Sequence, residues 1–237
     1  MGTHTRMPPR LVIAIDGPVG AGKSSVGRLL AERLGFTCVD SGLFYRAAAW
    51  AVLQRGGDSD RAADAVAAAR SLDLTFEPDP TGRRAAQVRQ DGVDITEQLY
   101  TSAVERVVSP VSRLAALRQT LLAAQRRAIG VGGVVALGRD IGTVVWPQAA
   151  LKIYLDASLE RRVERKWRQR TEAGETIARA EVRRLLEDRD RLDAGRSTSP
   201  LRAAVDAVIV QTDGLSIAEV VDRLEAELRA RRLVEAR

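Results

Sequence analysis

The segment from Leu11 to Leu34 constrains this chain more than any other. Leu11-Val-Ile-Ala-Ile15 is short, continuous and apolar, as a strand buried on both faces should be. It runs through Asp16 into Gly17-Pro18-Val19-Gly20-Ala21-Gly22 and then Lys23-Ser24-Ser25. Beyond that, Val26, Leu29, Leu30 and Leu34 recur at helical spacing, and Gly35 closes the helix. A glycine turn between a buried strand and a helix start matches the pattern G-x-x-x-x-G-K-[ST] in its proper context. The chemistry asks for these residue types. Glycines let backbone N–H groups curl around a phosphate without Cβ obstruction. The helix N-terminus adds partial positive charge. Lys23 is placed to reach the β- and γ-phosphates of a nucleoside triphosphate, and the Ser24 hydroxyl to ligate Mg²⁺. Asp16 is a water-mediated neighbour for that metal.

The rest of the chain alternates strand and helix. A strand over Thr37–Val39 ends at Asp40; a helix starts near Ser41 or Gly42 and reaches about Arg55, where Gly56-Gly57-Asp58 breaks it. Apolar strands follow at Val134–Leu137, Leu151–Leu155 and Ala207–Gln211, and a last helix from Ile217 to about Arg232 carries Val220, Val221, Leu224 and Leu228. This predicts an α/β fold, a doubly wound parallel sheet with helices on both faces. Roughly ninety residues separate the second strand from the third, far more than a connection needs. Leu72–Phe76, Ala85–Gln90 and Val93–Ile95 lie in that gap, the last two joined by the hairpin signal Asp91-Gly92. They predict a small antiparallel subdomain inserted over residues 57–130. Helices from about Glu97 to Val108 and from about Ser112 to Ile129 are expected next, with Pro110 between them. The expected organisation is a flexible tail over 1–10 and a single domain over 11–237, with a lid region over 158–200.

Composition narrows the setting. One cysteine, Cys38, forms no internal disulfide, which fits a reducing compartment. No apolar run approaches the roughly 18 residues that cross a bilayer, and the run after the polar N-terminus is too short for a signal-peptide core. A cytoplasmic monomer with no membrane partner is expected. The sole histidine, His4, lies in the tail and carries no expected role. The formal charge is +6, yet only three of the 37 basic residues are lysines (Lys23, Lys152, Lys166). Mutational bias from a GC-rich genome explains such an arginine excess, and so does an anionic partner. With 31 acids and 4% aromatics the chain lacks the stacking platforms of a nucleic-acid binder, so phosphorylated metabolites are favoured.

Three phosphate-loop classes compete: a small-molecule kinase, a GTPase switch and a nucleic-acid-stimulated ATPase. No lysine follows an asparagine, so the guanine-reading Asn-Lys-x-Asp is absent from the sequence. Leu155-Asp156-Ala157 offers one acid where a motor ATPase carries two. Discrete arginine clusters suit a small kinase, whose loose transition state asks for positioning and charge compensation. Another small-molecule P-loop kinase, or an RNA-stimulated P-loop ATPase, are the alternatives.

Four blocks carry a resemblance. Ile15-Asp16-Gly17-Pro18-Val-Gly-Ala-Gly22-Lys23-Ser24-Ser25, Asp40-Ser41-Gly42-x-x-Tyr45-Arg46, Gly138-Arg139-Asp140-Ile-Gly142-Thr143-Val-Val-x-Pro147 and Leu151-Lys-Ile-Tyr-Leu-Asp-Ala-Ser158 resemble the bacterial cytidylate kinases over nearly the whole chain. The resemblance implies transfer of a phosphoryl group from MgATP to CMP or dCMP, with ATP held by Gly17, Pro18, Val19, Gly20, Ala21, Gly22, Lys23, Ser24 and Ser25. It implies that Ser41, Arg46, Arg139 and Arg196 hold the acceptor phosphate and that Tyr45 shapes that site. It further implies that Arg189 and Asp193 contact phosphate and ribose, that Ser109, Arg118 and Asp140 read the cytosine, and that Arg162 and Arg165 close on ATP from a lid. Cytosine presents an amino donor that a carboxylate accepts, whereas uracil presents a carbonyl there. The chain departs from the family's usual pattern at Leu43-Phe44, Trp146, Lys166 and Ala194-Gly195. Blander readings stand beside these roles. Arg139-Asp140 also reads as a structural ion pair, Asp193 with Arg196 as a solvated helix end, Arg162 and Arg165 as an exposed helical face, and Tyr45 as core packing. By local pattern alone, Ser109 and Arg118 lie on a helix surface.

Overall fold

The computed structural model describes residues 11–235 except 78, 80, 83, 131 and 197; the expected tail over 1–10, with His4, lies outside the described residues. The strands of the main sheet are β1 (Val12–Asp16), β2 (Thr37–Asp40), β6 (Val134–Leu137), β7 (Leu151–Asp156) and β8 (Val208–Gln211). They are all parallel, in the order β2-β6-β1-β7-β8. β1 sits at the centre, with Ile13 opposite Val135 on one side and Leu151 on the other. A strand alternates its side chains, so β1 feeds two cores. Ile13 and Ile15 point to the face covered by α1 (Lys23–Leu34) and α8 (Ile217–Ala230), among Leu30, Ile153, Val221 and Leu224. Val12 and Ala14 point to the opposite face, covered by α2 (Ser41–Gln54), α3 (Ala62–Arg70), α4 (Ser102–Arg113) and α5 (Ala115–Ile129). Helices thus cover both faces, as expected of the doubly wound class.

The inserted strands form a separate antiparallel sheet of β3 (Leu74–Glu77), β4 (Gln87–Gln90) and β5 (Val93–Asp94). Its turn is the predicted Asp91-Gly92, both residues at positive φ (50° and 79°), which matches the twist of the paired strands. This sheet packs on a small core of its own with Leu43, Val88, Ile95 and Leu99. The inserted helices do not stand apart with it, because Ala65, Ala68, Val104, Leu117 and Leu121 belong to the main core.

Three expectations about this region need correcting. The stretch from Glu97 is a 3₁₀ turn to Tyr100; α4 begins at Ser102, where the Thr101 side chain caps it by accepting from the Val104 N–H. Pro110 lies inside α4 rather than between helices. It removes one backbone hydrogen bond, but Val104, Val108 and Val111 bury one face and carry the helix through. The break comes at Leu114, whose extended backbone (φ −70°, ψ 113°) separates α4 from α5. Helix α3 has no counterpart in the sequence reading.

Beyond β7, α6 (Leu159–Glu172) and α7 (Arg179–Ala194) pair through Val163, Val182 and Leu186, with Val19 of the phosphate loop against them. These two helices fall within residues 158–200. Among the described residues no helix is long and apolar enough to cross a membrane.

Gly27 is where α1 touches β6: a Cβ there would lie 2.4 Å from Leu137 Cδ2. Gly27→Val is expected to lower stability by about 2 kcal/mol through overpacking, despite the better helix former. Urea unfolding checks this; a variant as stable as the parent would contradict the tight α1–β6 contact.

Candidate active site

The C-terminal ends of the parallel strands gather at one edge of the sheet, the place where open α/β sheets bind ligands. The glycine-rich loop leaves β1 there. Gly17 has φ +146°, and a Cβ on it would lie 2.0 Å from the Leu155 carbonyl oxygen, so the loop can pass β7 only as glycine. Helix α1 then starts with neither a side-chain cap nor an acid in its first turn, which leaves its N-terminal N–H groups for the loop's ligand. Lys23 is buried, and its ammonium donates to the carbonyls of Gly17 (2.8 Å) and Pro18 (2.7 Å). Burial and the positive charge of Arg139 hold it well below the usual lysine range. Ser24 is exposed, and its hydroxyl donates to Asp40 Oδ2 at 3.4 Å. Ser25, the next residue of α1, is half-buried. Asp40 lies at the end of β2 and also caps α2, accepting from the Gly42 N–H at 2.8 Å. The sequence reading did not single it out.

Two arginines of α6 reach this loop. Arg162 is buried rather than on an exposed face; it donates to Val19 O (3.3 Å) and pairs with Asp190 (2.7 Å). Arg165 donates to Gly20 O (3.3 Å) and to Thr212, at Oγ1 (3.0 Å) and O (2.9 Å). Thr212, itself buried, donates to Ala21 O at 3.3 Å. No motif in the sequence marks it as such a support.

Asp16 ties the loop to the next block. Its two oxygens accept from the N–H groups of Ile141 and Gly142, each at 2.8 Å. Those residues open a π-helical turn, Ile141–Val145. The turn presents Arg139 and Asp140 beside the loop. Ser41 at the start of α2 is buried close by, and a Cβ on Gly138 would lie 2.6 Å from its hydroxyl.

The acceptor candidates converge on one carboxylate. Asp193 has no exposed surface and pairs with Arg139 (3.1 Å), Arg189 (3.2 Å) and Arg196. It is therefore no solvated helix end. Burial pushes its acid upward, but the charges of Arg189, Arg139 and Arg196 outweigh that and hold it below the usual range. Arg118, expected on a helix surface by local pattern, is buried and donates to Asp140 Oδ2 at 2.7 Å and to the Ser112 carbonyl at 2.9 Å. Its guanidinium stands 5.0 Å from the centre of the Tyr45 ring. Ser112 links both groups: its hydroxyl donates to Ser109 O (3.1 Å) and accepts from Arg196 (3.4 Å). Neither Ser112 nor the fully buried Gln125 carried a sequence signal. Arg46 stands at the rim, donating to Leu99 O (3.0 Å) and paired with Glu105 (2.7 Å).

A glycine cradle over a helix start, facing a bank of guanidiniums held by buried acids, is built to handle phosphate on both sides. It defines a P-loop phosphotransferase. Comparison with known proteins narrows the class. The profile of the family "Cytidylate kinase" matches residues 13–230. A cytidylate kinase of Rhodococcus opacus (strain B4) is 45% identical, the match covering 90% of this chain and 93% of that one. One of Desulfitobacterium hafniense (strain Y51) is 42% identical over 92% of each. One of Geobacter sulfurreducens (strain ATCC 51573 / DSM 12127 / PCA) is 38% identical, with 93% and 94% covered. The chain belongs to the cytidylate kinase family, and is a nucleoside monophosphate kinase, a transferase.

Burial pushes the Asp16 carboxyl from 3.8 up to about 6, against the hydrogen bonds from Gly142 and Ile141. The folded chain thus keeps a proton there that the unfolded chain releases. The stability this adds is present in full below pH 3.8 and is lost as pH rises through about 6. Relative to the parent, Asp16→Asn should gain about 3 kcal/mol of stability from the bottom to the top of that window. Denaturant unfolding of both proteins across it measures the difference; a gap that does not change with pH would count against a raised Asp16.

Proposed function

We propose that this enzyme transfers the γ-phosphoryl group of MgATP to CMP and dCMP, giving CDP and dCDP. The observation that carries the reading is the buried Arg118–Asp140 pair (2.7 Å), one residue from the turn that Asp16 ties to the phosphate loop. A carboxylate so placed accepts the amino group of cytosine and repels the carbonyl of uracil. Arg118 orients it, and stands over the Tyr45 ring to wall the base. Ser109 and Ser112 complete this wall from α4.

On the acceptor side, Arg139, Arg189 and Arg196 are aimed by Asp193 and, with Ser41 and Arg46, hold the monophosphate. Asp193 acts as a positioning residue here, working through its arginines. On the donor side, the loop from Gly17 to Ser25 holds the β- and γ-phosphates, and Lys23 leaves its two carbonyl partners for them. An oxygen of the acceptor phosphate attacks the γ-phosphorus while the bond to the bridging oxygen breaks, and ADP departs with that electron pair. No base is needed, because the attacking oxygen already carries charge. Arg162 and Arg165 close over the phosphates, compensate the spread charge and exclude water, which would otherwise take the phosphoryl group.

The residues fit Mg²⁺. Ser24 and Asp40 offer adjacent oxygens, as suits a hard cation held by one or two side chains and phosphate oxygens. Asp16 stands behind them, its oxygens engaged by backbone. When bound, the ion neutralises and orients the donor's phosphates.

In a coupled assay of ADP release, CMP and dCMP should be turned over and UMP clearly less. Asp140→Asn should narrow the CMP-to-UMP preference by about tenfold or more, since an amide presents both a donor and an acceptor. Equal use of UMP or AMP by the parent would defeat the reading, as would ATP turnover that requires polynucleotide and ignores CMP. Lys23→Ala should cut transfer at least about a hundredfold with the circular dichroism spectrum unchanged. A near-parental rate would remove Lys23 from the chemistry.

A further inference from the structure

Arg46 meets an anion that the fold itself supplies. Its NH2 lies 2.7 Å from Glu105 Oε2, an ion pair between α2 and α4. Glu105 is not the only group that holds Arg46. The NH1 of Arg46 donates to the Leu99 carbonyl at 3.0 Å, and the guanidinium stands 4.9 Å from the Tyr100 ring centre. Arg84 stands 3.8 Å from the same ring and pairs with Glu97, which fixes the ring in turn. Two neutral partners therefore orient Arg46 and leave one edge of its fork to a carboxylate.

That carboxylate is the more exposed partner. The side chain of Glu105 is 42% exposed, against 20% for Arg46. An ion pair so open to water is screened and cheap to separate. The charges of Arg46, Lys166 and Arg189 outweigh burial and keep Glu105 ionised below the usual range. Lys166 comes from the lid helix α6 and Arg189 from α7, so Glu105 lies where the insertion faces the lid. A phosphate dianion is the natural competitor for the edge that Glu105 occupies, with greater charge and the same geometry.

We propose that Glu105 is a resident carboxylate that occupies Arg46 until the phosphate of the acceptor displaces it. The proposal rests on the reading that Arg46 holds that phosphate. Every acceptor must then exchange one anion for another, so Glu105 weakens binding of phosphorylated ligands while leaving the affinity for the nucleoside portion unchanged.

Titration calorimetry with CMP and with cytidine, on the full chain and on Glu105→Gln and Glu105→Ala, tests this. Both variants are expected to bind CMP about threefold to tenfold more tightly and cytidine as the parent does. Unchanged or weaker CMP binding in the variants would overturn the proposal and make Glu105 a support for Arg46. Parallel changes for CMP and cytidine would also overturn it, since they mark a general effect on the pocket. A parent that binds no CMP at all would instead remove the acceptor reading, and this proposal with it.

Discussion

Asp193 is the group on which the rest of the site depends. It is wholly buried, and three guanidiniums close on it: the distant Arg139 after β6, and two local ones, Arg189 one turn earlier in α7 and Arg196 beyond the helix end. Each arginine alone would stand in water with a long, disordered side chain. Held by one carboxylate, they become a fixed bank of donors, and the entropy of ordering them is lost at folding rather than at binding. The arrangement also works in reverse. A buried acid is tolerable only because those charges surround it, so α7 cannot dock without them.

The same logic, with different partners, joins this bank to the phosphate loop. Asp16 at the end of β1 accepts two N–H groups from the π turn after β6. That turn has too few internal hydrogen bonds to persist alone, and its fit to Asp16 sets where Asp140 and Arg139 stand. Because β1 and β6 are neighbours in register, from Val12 opposite Val134 to Ile15 opposite Leu137, the position passes without slack from sheet to site. Donor and acceptor sides are thus two outgrowths of one pair of strands.

What was legible in the sequence follows from which interactions are local. The strand, loop and helix from Leu11 to Leu34 declare themselves, because glycine, lysine and apolar spacing act within a few residues. The Asp91-Gly92 hairpin is legible for the same reason. Helix α3 was not, since Ala62–Arg70 has helical propensity but almost no apolar periodicity; its small buried residues Ala65, Ala68 and Ala69 matter only against neighbouring helices. Pro110 misled because proline marks a break locally, while three buried valines outweigh it. In the site, the phosphate loop and the Gly138–Thr143 block were readable as motifs. That Arg118 and Asp193 are buried was not, because charged residues on helices read as surface until their partners, 22 residues away for Asp140 and 54 away for Arg139, are brought in by the fold. Ser112, Gln125 and Thr212, buried polar residues with no motif around them, were equally unreadable.

Burial also sorts the acids of the site by what they can do. Asp193 and Asp140 are almost without exposed surface, and removing their arginines would strand a charge in a poor solvent. Those pairs are fixed, and they carry geometry. Glu105 keeps 42% of its side chain in water, so its pair with Arg46 is screened and is the easiest of these to separate. On the function proposed here, the fixed pairs lie around the reacting phosphate and the base, where misplacement would cost most. On the same reading, the Arg46–Glu105 pair lies where the acceptor phosphate enters. A site with only fixed pairs would bind phosphate rigidly and open slowly; one with only releasable pairs would not aim it. On that reading, the graded exposure of the acids, more than the number of arginines, would let one cleft both orient a phosphoryl group and let its products go.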